Sequence, residues 1–342
     1  MYTQGHSRLI STGAYIPETK VTSRELMQEI DSRNRFGIPY DWLERVTGIR
    51  ERRIAPEHML PSDLAVAAGK EALERAGLRA EDVDAVIFTG VIRDYIEPST
   101  AHVVQHKLGA RNALAFDVSN ACHGFINGIH VMDALIATGQ VRRGLIVAGE
   151  PSSRYTRKAV EMLKATTDRD TFMRLSSGLT VGDSGTAMVV GPKIDPDTGF
   201  MGFMLQSQGQ YFSYSTCGRI GEDSPLEADL LPLIKEGVRL LSEMYGDFMH
   251  KLDWQPQDIA RCAQHQASRP MLKQFAAYLG IDPSVQVETV STMGNLVSGN
   301  VPINLHLLST RGEVKLGDKV ILVGGGSGLA VSHTGLIWDA AA

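Results

Sequence analysis

The chain has 342 residues, more than one core usually holds, so two domains or two similar halves are expected. Hydrophobic residues make up 43% and charged residues 21%, an ordinary globular composition, and a formal net charge of −5 gives no reason to expect nucleic acid or an anionic membrane as partner. Its cysteines, Cys122, Cys217 and Cys262, are far apart and form no CxxC pair, which argues against a disulfide framework or a zinc site and fits a reducing compartment such as the cytoplasm.

The first ten residues, Met1 to Ile10, lack the long apolar core of a signal peptide. No apolar run approaches the ~18 residues of a membrane span. Ser62 and Asp63 are placed to cap a helix through Leu64, Ala67, Ala68, Ala72 and Leu73 that ends at Gly77. Ala85 to Thr89 reads as a strand buried on both faces. The residues before Cys122 read as the end of a buried strand. After it, Phe125, Ile126, Ile129, Met132, Leu135 and Ile136 recur at helical spacing. Leu145 to Ala148 is a further strand.

Residues 151–178 break this rhythm. They are rich in charged and hydroxyl side chains around a helical middle of Ala159, Val160, Met162 and Leu163. Two readings stay open: a solvated insertion, or a cap over a substrate channel or a dimer contact. Val181 to Val190 reads as a turn into a strand. The second half offers an amphipathic helix over 227–250, a helix over 268–279, a strand near 286–290 and a helix over 297–310. Val320 to Val323, the glycine run Gly324 to Gly328 and a final apolar strand close the chain. Each half ends as strand, Gly-rich turn and strand, which points to a duplicated α/β unit.

A thiol in the first turn of a helix faces unpaired N–H groups and the positive end of the dipole, which favour thiolate. That makes Cys122 a candidate nucleophile, against the alternative of a buried structural cysteine. His265 stands where a strand gives way to a loop and is a candidate proton carrier. Asn295, beside Gly294, supplies an amide donor or a simple turn cap. The Gly324 to Gly328 run is either a tight turn or a turn that aims N–H groups at an oxyanion. Glu97, between Ile96 and Pro98, is either a surface charge or a general base. A Cys-His-Asn set of this kind serves acyl transfer generally and does not by itself separate a hydrolase from a condensing enzyme.

Six segments in order carry a resemblance. Val46 to Ile54 (VTGIRERRI), Asp117 to Phe125 around Cys122, Gly182-Asp183-Ser184-Gly185, His265-Gln266-Ala267, Gly294-Asn295 and Gly324-Gly325-Gly326 resemble the thiolase superfamily in its ketoacyl-ACP synthase III branch. Arg93 to Thr100, Ser268-Arg269-Pro270 and the insertion at 151–178 are similar to OleA-type enzymes, which condense acyl-CoAs head to head.

The resemblance implies a thiolase fold of five layers, α-β-α-β-α, in two halves, 1–195 with the nucleophile and 196–342 with His265 and Asn295. It implies that Cys122 carries the first acyl group and that the N–H groups of Cys122 and Ser327 hold the thioester oxygen. His265 and Asn295 would hold the second thioester and its enolate, and Glu97 would remove the α-proton. Glu97 in that family reaches the partner subunit's site, so a homodimer is implied. Trp42, Gly326 and Arg269 are further positions of substrate contact. Substrates would be coenzyme A thioesters, with no metal and no other cofactor. The implied reaction is non-decarboxylative Claisen condensation of two fatty acyl-CoAs. The alternative is a decarboxylative 3-oxoacyl-ACP synthase III using malonyl-ACP.

Overall fold

In a computed structural model, residues 1–218 and 224–340 are described. Two five-stranded sheets organise them. The strands in chain order are β1 (Tyr2–Gln4), β2 (Ser7–Tyr15), β3 (Lys20–Thr22), β4 (Glu51–Arg53), β5 (Ala85–Phe88), β6 (Leu114–Asp117), β7 (Gly144–Glu150) and β8 (Ser184–Pro192). The second half continues with β9 (Gly199–Ser207), β10 (Ser215–Thr216), β11 (Glu227–Ala228), β12 (Ile259–Gln264), β13 (Lys319–Gly326) and β14 (Ala330–Ile337). One sheet runs β2-β8-β7-β5-β6 and the other β1-β9-β14-β13-β12.

The duplication inferred from the two Gly-rich closures is visible in the pairing. β2-β8-β7-β5 and β9-β14-β13-β12 share one order. Both are antiparallel, antiparallel and then parallel. The first sheet adds β6 as an edge. The second adds β1, delivered by the N-terminus.

Helices fill three layers. α1 (Ser23–Glu29), α2 (Ser32–Phe36) and α3 (Trp42–Thr47) form a small N-terminal group. α4 (Pro61–Ala76) and α5 (Thr100–Leu108) cover the outer face of the first sheet, around Ala68, Ala72, Val86, Phe88 and Val104. α6 (Gly124–Ala137) is followed by α7 (Ser153–Lys164) and α8 (Arg169–Leu175). α9 (Leu230–Leu252) and α10 (Arg269–Leu279) cover the outer face of the second sheet, and α11 (Val290–Met293) precedes α12 (Asn300–Thr310). α6 and α12 lie between the sheets. Phe125, Ile129, Met132, Val301 and Leu305 meet Ile87, Ile146, Phe203 and Leu322 there. Each such side chain, fully removed from water, contributes roughly 1.5–3 kcal/mol. The five expected layers are present.

Three expectations change, and a fourth segment with two open readings is placed. The helix α4 starts at Pro61, and Asp63 rather than Ser62 caps it, accepting the Leu60 N–H at 2.9 Å. Ser62 instead holds Asp94. No strand forms at 286–290. Only Gln286 bridges to Cys262, because the 3-10 turn Pro283–Val285 and the α11 turn take up the flanking backbone. The strand before Cys122 is not buried: β6 is a sheet edge, with Leu114 57% exposed.

Fourth, the insertion at 151–178 is not a solvated excursion. Ala159, Val160, Leu163, Phe172 and Leu175 pack with Leu26, Met27, Ile30 and Leu43 in a separate apolar cluster. Asp183 ties it to the first sheet by accepting the Ser153 N–H at 2.6 Å and the Ala55 N–H at 2.7 Å.

Candidate functional site

Cys122 lies where β6 gives way to α6. Ala121–His123 form one 3-10 turn, and Ala121 has a left-handed backbone, φ 47°. Such a conformation is uncommon outside glycine and reverses the chain sharply. The end of β13 presses against this turn. A Cβ at Gly326 would stand 2.8 Å from the His123 nitrogen and 3.3 Å from that of Cys122. Only glycine permits that approach. His123 points away from the cavity. Its ring bonds Asn127 Oδ1 at 2.6 Å and Ser332 Oγ at 2.7 Å, and it is buried.

His265 follows the last residue of β12, its N–H bonded to the Val323 carbonyl at 2.9 Å. Asn295 is set by backbone pairing with the glycine turn of the other half. Its N–H bonds to Thr180 O at 2.9 Å, and its carbonyl accepts the Gly182 N–H at 3.0 Å. Gly294 makes this close docking possible. It has φ 74°, and a Cβ there would meet Thr180 O at 2.8 Å. The Asn295 Oδ1 accepts from Val297 N at 3.0 Å and Asn300 Nδ2 at 2.9 Å, so its own NH₂ is the group left for the cavity.

These elements converge. Cys122, His265, Asn295, Gly325, Gly326 and Ser327 line one cavity. Its far wall is apolar: Leu230, Leu233, Ile234 and Leu241 of α9, with Phe275 of α10. The insertion contributes Tyr155 and Ser177 to the lining, as the cap reading expects. Cys217 also lines the cavity and is hydrogen-bonded to Tyr155. A larger outer groove shares Thr180, Thr216, Leu230 and Ile234 with the inner cavity, so the two adjoin. Trp42 stands in the groove wall, its ring edge-on to Phe172 at 5.4 Å. Ser268 and Pro270 line the groove, while Arg269 is exposed and paired with Glu288 at 3.7 Å.

Burial pushes the Cys122 thiol up to about 12, and Glu150 and Cys217 add to the effect. This burial effect runs against the helix dipole, which favours the thiolate at the same position. His265 is pushed down to about 4 by burial, with His123 acting in the same direction, so its ring is neutral.

Glu97 is not at its own chain's cavity. It is exposed on the loop between β5 and α5, beside Tyr95 and Ile96, which are 55% and 87% exposed. That loop is clamped at its base. Asp94 accepts from Ser62 N at 2.9 Å, and Asp117 accepts from Thr100 N at 3.0 Å and Ala101 N at 2.8 Å. The tip projects while its ends are fixed.

Glu150 was not singled out in the sequence, since nothing local marks it. Its Oε1 accepts from Val91 N at 2.9 Å and from Ser298 Oγ, while Oε2 is buried with no partner among the described residues. Burial raises it to about 7. Below that pH it is neutral; above it, its charge disfavours the Cys122 thiolate. Glu150→Gln is therefore expected to speed iodoacetamide alkylation of Cys122 several-fold above pH ~7 and to change it little below pH ~6. A pH series of alkylation rates, read by intact mass, checks this; equal acceleration at every pH would refute it.

Among the described residues no group of three or more His, Cys, Asp or Glu side chains is placed to hold a metal, and no helix is long and apolar enough to cross a membrane.

Comparison with known proteins agrees with this geometry. Residues 116–209 match the 3-oxoacyl-[acyl-carrier-protein] synthase III family and residues 249–338 its C-terminal family. The chain is 31% identical to an acyl-CoA:acyl-CoA alkyltransferase of Xanthomonas campestris pv. campestris over 323 residues, covering 93% of this chain and 94% of that one. It is 29% identical to a beta-ketoacyl-[acyl-carrier-protein] synthase III of Neisseria meningitidis over 329 residues, covering 95% and 97%. The structure of Xanthomonas campestris OleA with bound lauric acid and lauroyl-CoA superposes with a TM-score of 0.92 at 29% identity, covering 98% of this chain and 100% of that one.

Proposed function

This chain belongs to the thiolase superfamily, in its 3-oxoacyl-ACP synthase III-like branch, and from that premise we propose that it condenses two fatty acyl-CoAs without decarboxylation. The chain is an acyltransferase-type condensing enzyme with the thiolase fold. In the proposed reaction the Cys122 sulfur displaces CoA from the first thioester, and the thiol proton leaves on CoA. The N–H groups of Cys122 and Ser327 hold the thioester oxygen. Glu97 of a second copy removes the α-proton of the second acyl-CoA. The resulting carbanion attacks the Cys122 thioester, the sulfur departs as thiolate and takes up the proton that Glu97 removed, and a 2-alkyl-3-ketoacyl-CoA forms. One CoA is released for the two acyl-CoAs consumed.

The observation that carries the reading is the placement of Glu97. A malonyl-thioester synthase makes its carbanion by losing CO₂ and needs no base there. A condensation of two simple acyl-CoAs must deprotonate a weakly acidic C–H, which requires a carboxylate brought into a dry site. Glu97 sits on a projecting loop whose base is fixed, next to two exposed apolar side chains. Its exposure and its absence from the lining of its own cavity, together with the open edge of β6, support a homodimer in which each loop enters the partner's site. The apolar inner cavity suits an acyl chain, and the contiguous groove with Trp42 suits the CoA arm.

One assay separates the rivals. The protein is incubated with lauroyl-CoA alone and then with malonyl-ACP added. Coupled ketone from lauroyl-CoA alone is expected. Product only with malonyl-ACP would assign the decarboxylative reaction, and free lauric acid alone would assign a thioesterase.

A further inference from the structure

Resting on that reading of the site, we propose that Asn300 is a positioning residue that sets the tautomer of His265 and the orientation of Asn295 together, so that both present N–H donors to the enolate oxygen. Asn300 is the first residue of α12 and 1% exposed. It does not line the cavity. Its single amide nitrogen, with two hydrogens to donate, faces Asn295 Oδ1 at 2.9 Å and Val297 O at 3.1 Å and lies 3.1 Å from His265 Nδ1, whose role depends on the ring tautomer. Its own Oδ1 is buried without a partner among the described residues. Turning the amide over would place that oxygen against two oxygens and a ring nitrogen, so the nitrogen must face them.

The consequence for His265 is chemical. A ring nitrogen that accepts a hydrogen bond carries no proton, so in a neutral ring the proton is on Nε2. His265 then donates at Nε2. Asn295, its Oδ1 filled by Asn300 Nδ2 and Val297 N, donates through its NH₂. Both donors suit an enolate oxygen, which accepts twice. Val297 O is the competing feature: it also faces the ring and would favour a proton on Nδ1. Asn300 decides between the two tautomers because its NH₂ would oppose an Nδ1–H. Acylation of Cys122 uses a different oxyanion site and does not need this arrangement, so the two half-reactions should separate.

The test uses full-length protein labelled with ¹⁵N-histidine. The His265 ring signals are identified by their loss in His265→Gln. The wild type is expected to show Nε2–H at pH 7–8. Asn300→Leu, close in volume and uncharged, leaves Val297 O as the ring's nearby acceptor, and the proton is expected to move to Nδ1. With lauroyl-CoA, condensation is expected to fall about 100-fold, the effect of losing one such donor. Acylation of Cys122, followed by intact mass and CoA release, should stay within about threefold. Asn300→Ser, whose hydroxyl can donate to one acceptor, should recover part of the loss.

An Nδ1–H tautomer in the wild type would overturn the proposal, whether or not the variants fold. Equal losses of acylation and condensation in Asn300→Leu would also overturn it, since that is the mark of a structural role. A wild type that shows Nε2–H but couples no acyl-CoAs would sink the condensation reading and leave the tautomer assignment standing.

Discussion

Cys122→Ser is expected to lose the covalent acyl adduct and at least about 10⁴-fold of the condensation rate, with the fold intact. The sulfur is the one nucleophile held at the junction of the α6 turn and the Gly326 approach. A serine hydroxyl in the same enclosed place is a much weaker nucleophile, and His265 is not poised to activate it through a carboxylate, because its Nδ1 faces an amide. Intact mass after exposure to lauroyl-CoA should show one acyl group on the wild type and none on the variant. A stoichiometric acyl adduct on the Cys122→Ser variant, turning over at a comparable rate, would remove Cys122 from the mechanism. The pH dependence has a defined sign. Burial raises the thiol to about 12, so reaction of the free enzyme with a thiol reagent should keep rising through neutral and alkaline pH without a plateau near 7.

Glu97→Ala is expected to reduce condensation by about 10²–10⁴-fold while leaving acylation of Cys122 nearly unchanged. The split is the informative part, since Glu97 lies outside its own cavity and takes no part in forming the acyl-enzyme in the proposed order. A second experiment tests its delivery by a partner. Mixed dimers that combine a Cys122→Ala subunit with a Glu97→Ala subunit contain one site with Cys122 and Glu97 both native if Glu97 acts in trans, and should recover up to about half the wild-type rate. If Glu97 acted within its own chain, every site would lack one group and the mixture would remain inactive. Condensation that survives Glu97→Ala in full would end the assignment of Glu97 as base and favour the malonyl-dependent reaction.

Much of the scaffold was legible because its signals are local or periodic. The 3.6-residue pattern of Phe125, Ile126, Ile129, Met132 and Ile136 marks α6, and all five are buried between the sheets. The Gly-rich closure of each half marks the repeated strand order. Segments without a strong period were less legible. The apolar residues near 286–290 resemble a strand, yet a single bridge at Gln286 is all that forms, because α11 claims the following backbone. The charged insertion leaves two readings open because its buried stripe is narrow. Its partners, Leu26, Met27 and Leu43, lie more than a hundred residues away.

By itself the sequence determined the chemical inventory: a thiol at a helix start, an imidazole and an amide on loops, a glycine turn, and a carboxylate beside a proline. Residue type and neighbouring backbone settle those features, and both are local. The tertiary structure alone decided how the groups act on one another. It built the cavity whose walls push the Cys122 thiol upward, since desolvation depends on every wall of the cavity while the helix dipole depends on one turn. It placed Asn300 between His265 and Asn295, a contact across 35 positions that no local pattern encodes. It also turned Glu97 outward, which makes the α-proton step depend on a second copy of the chain in the mechanism proposed.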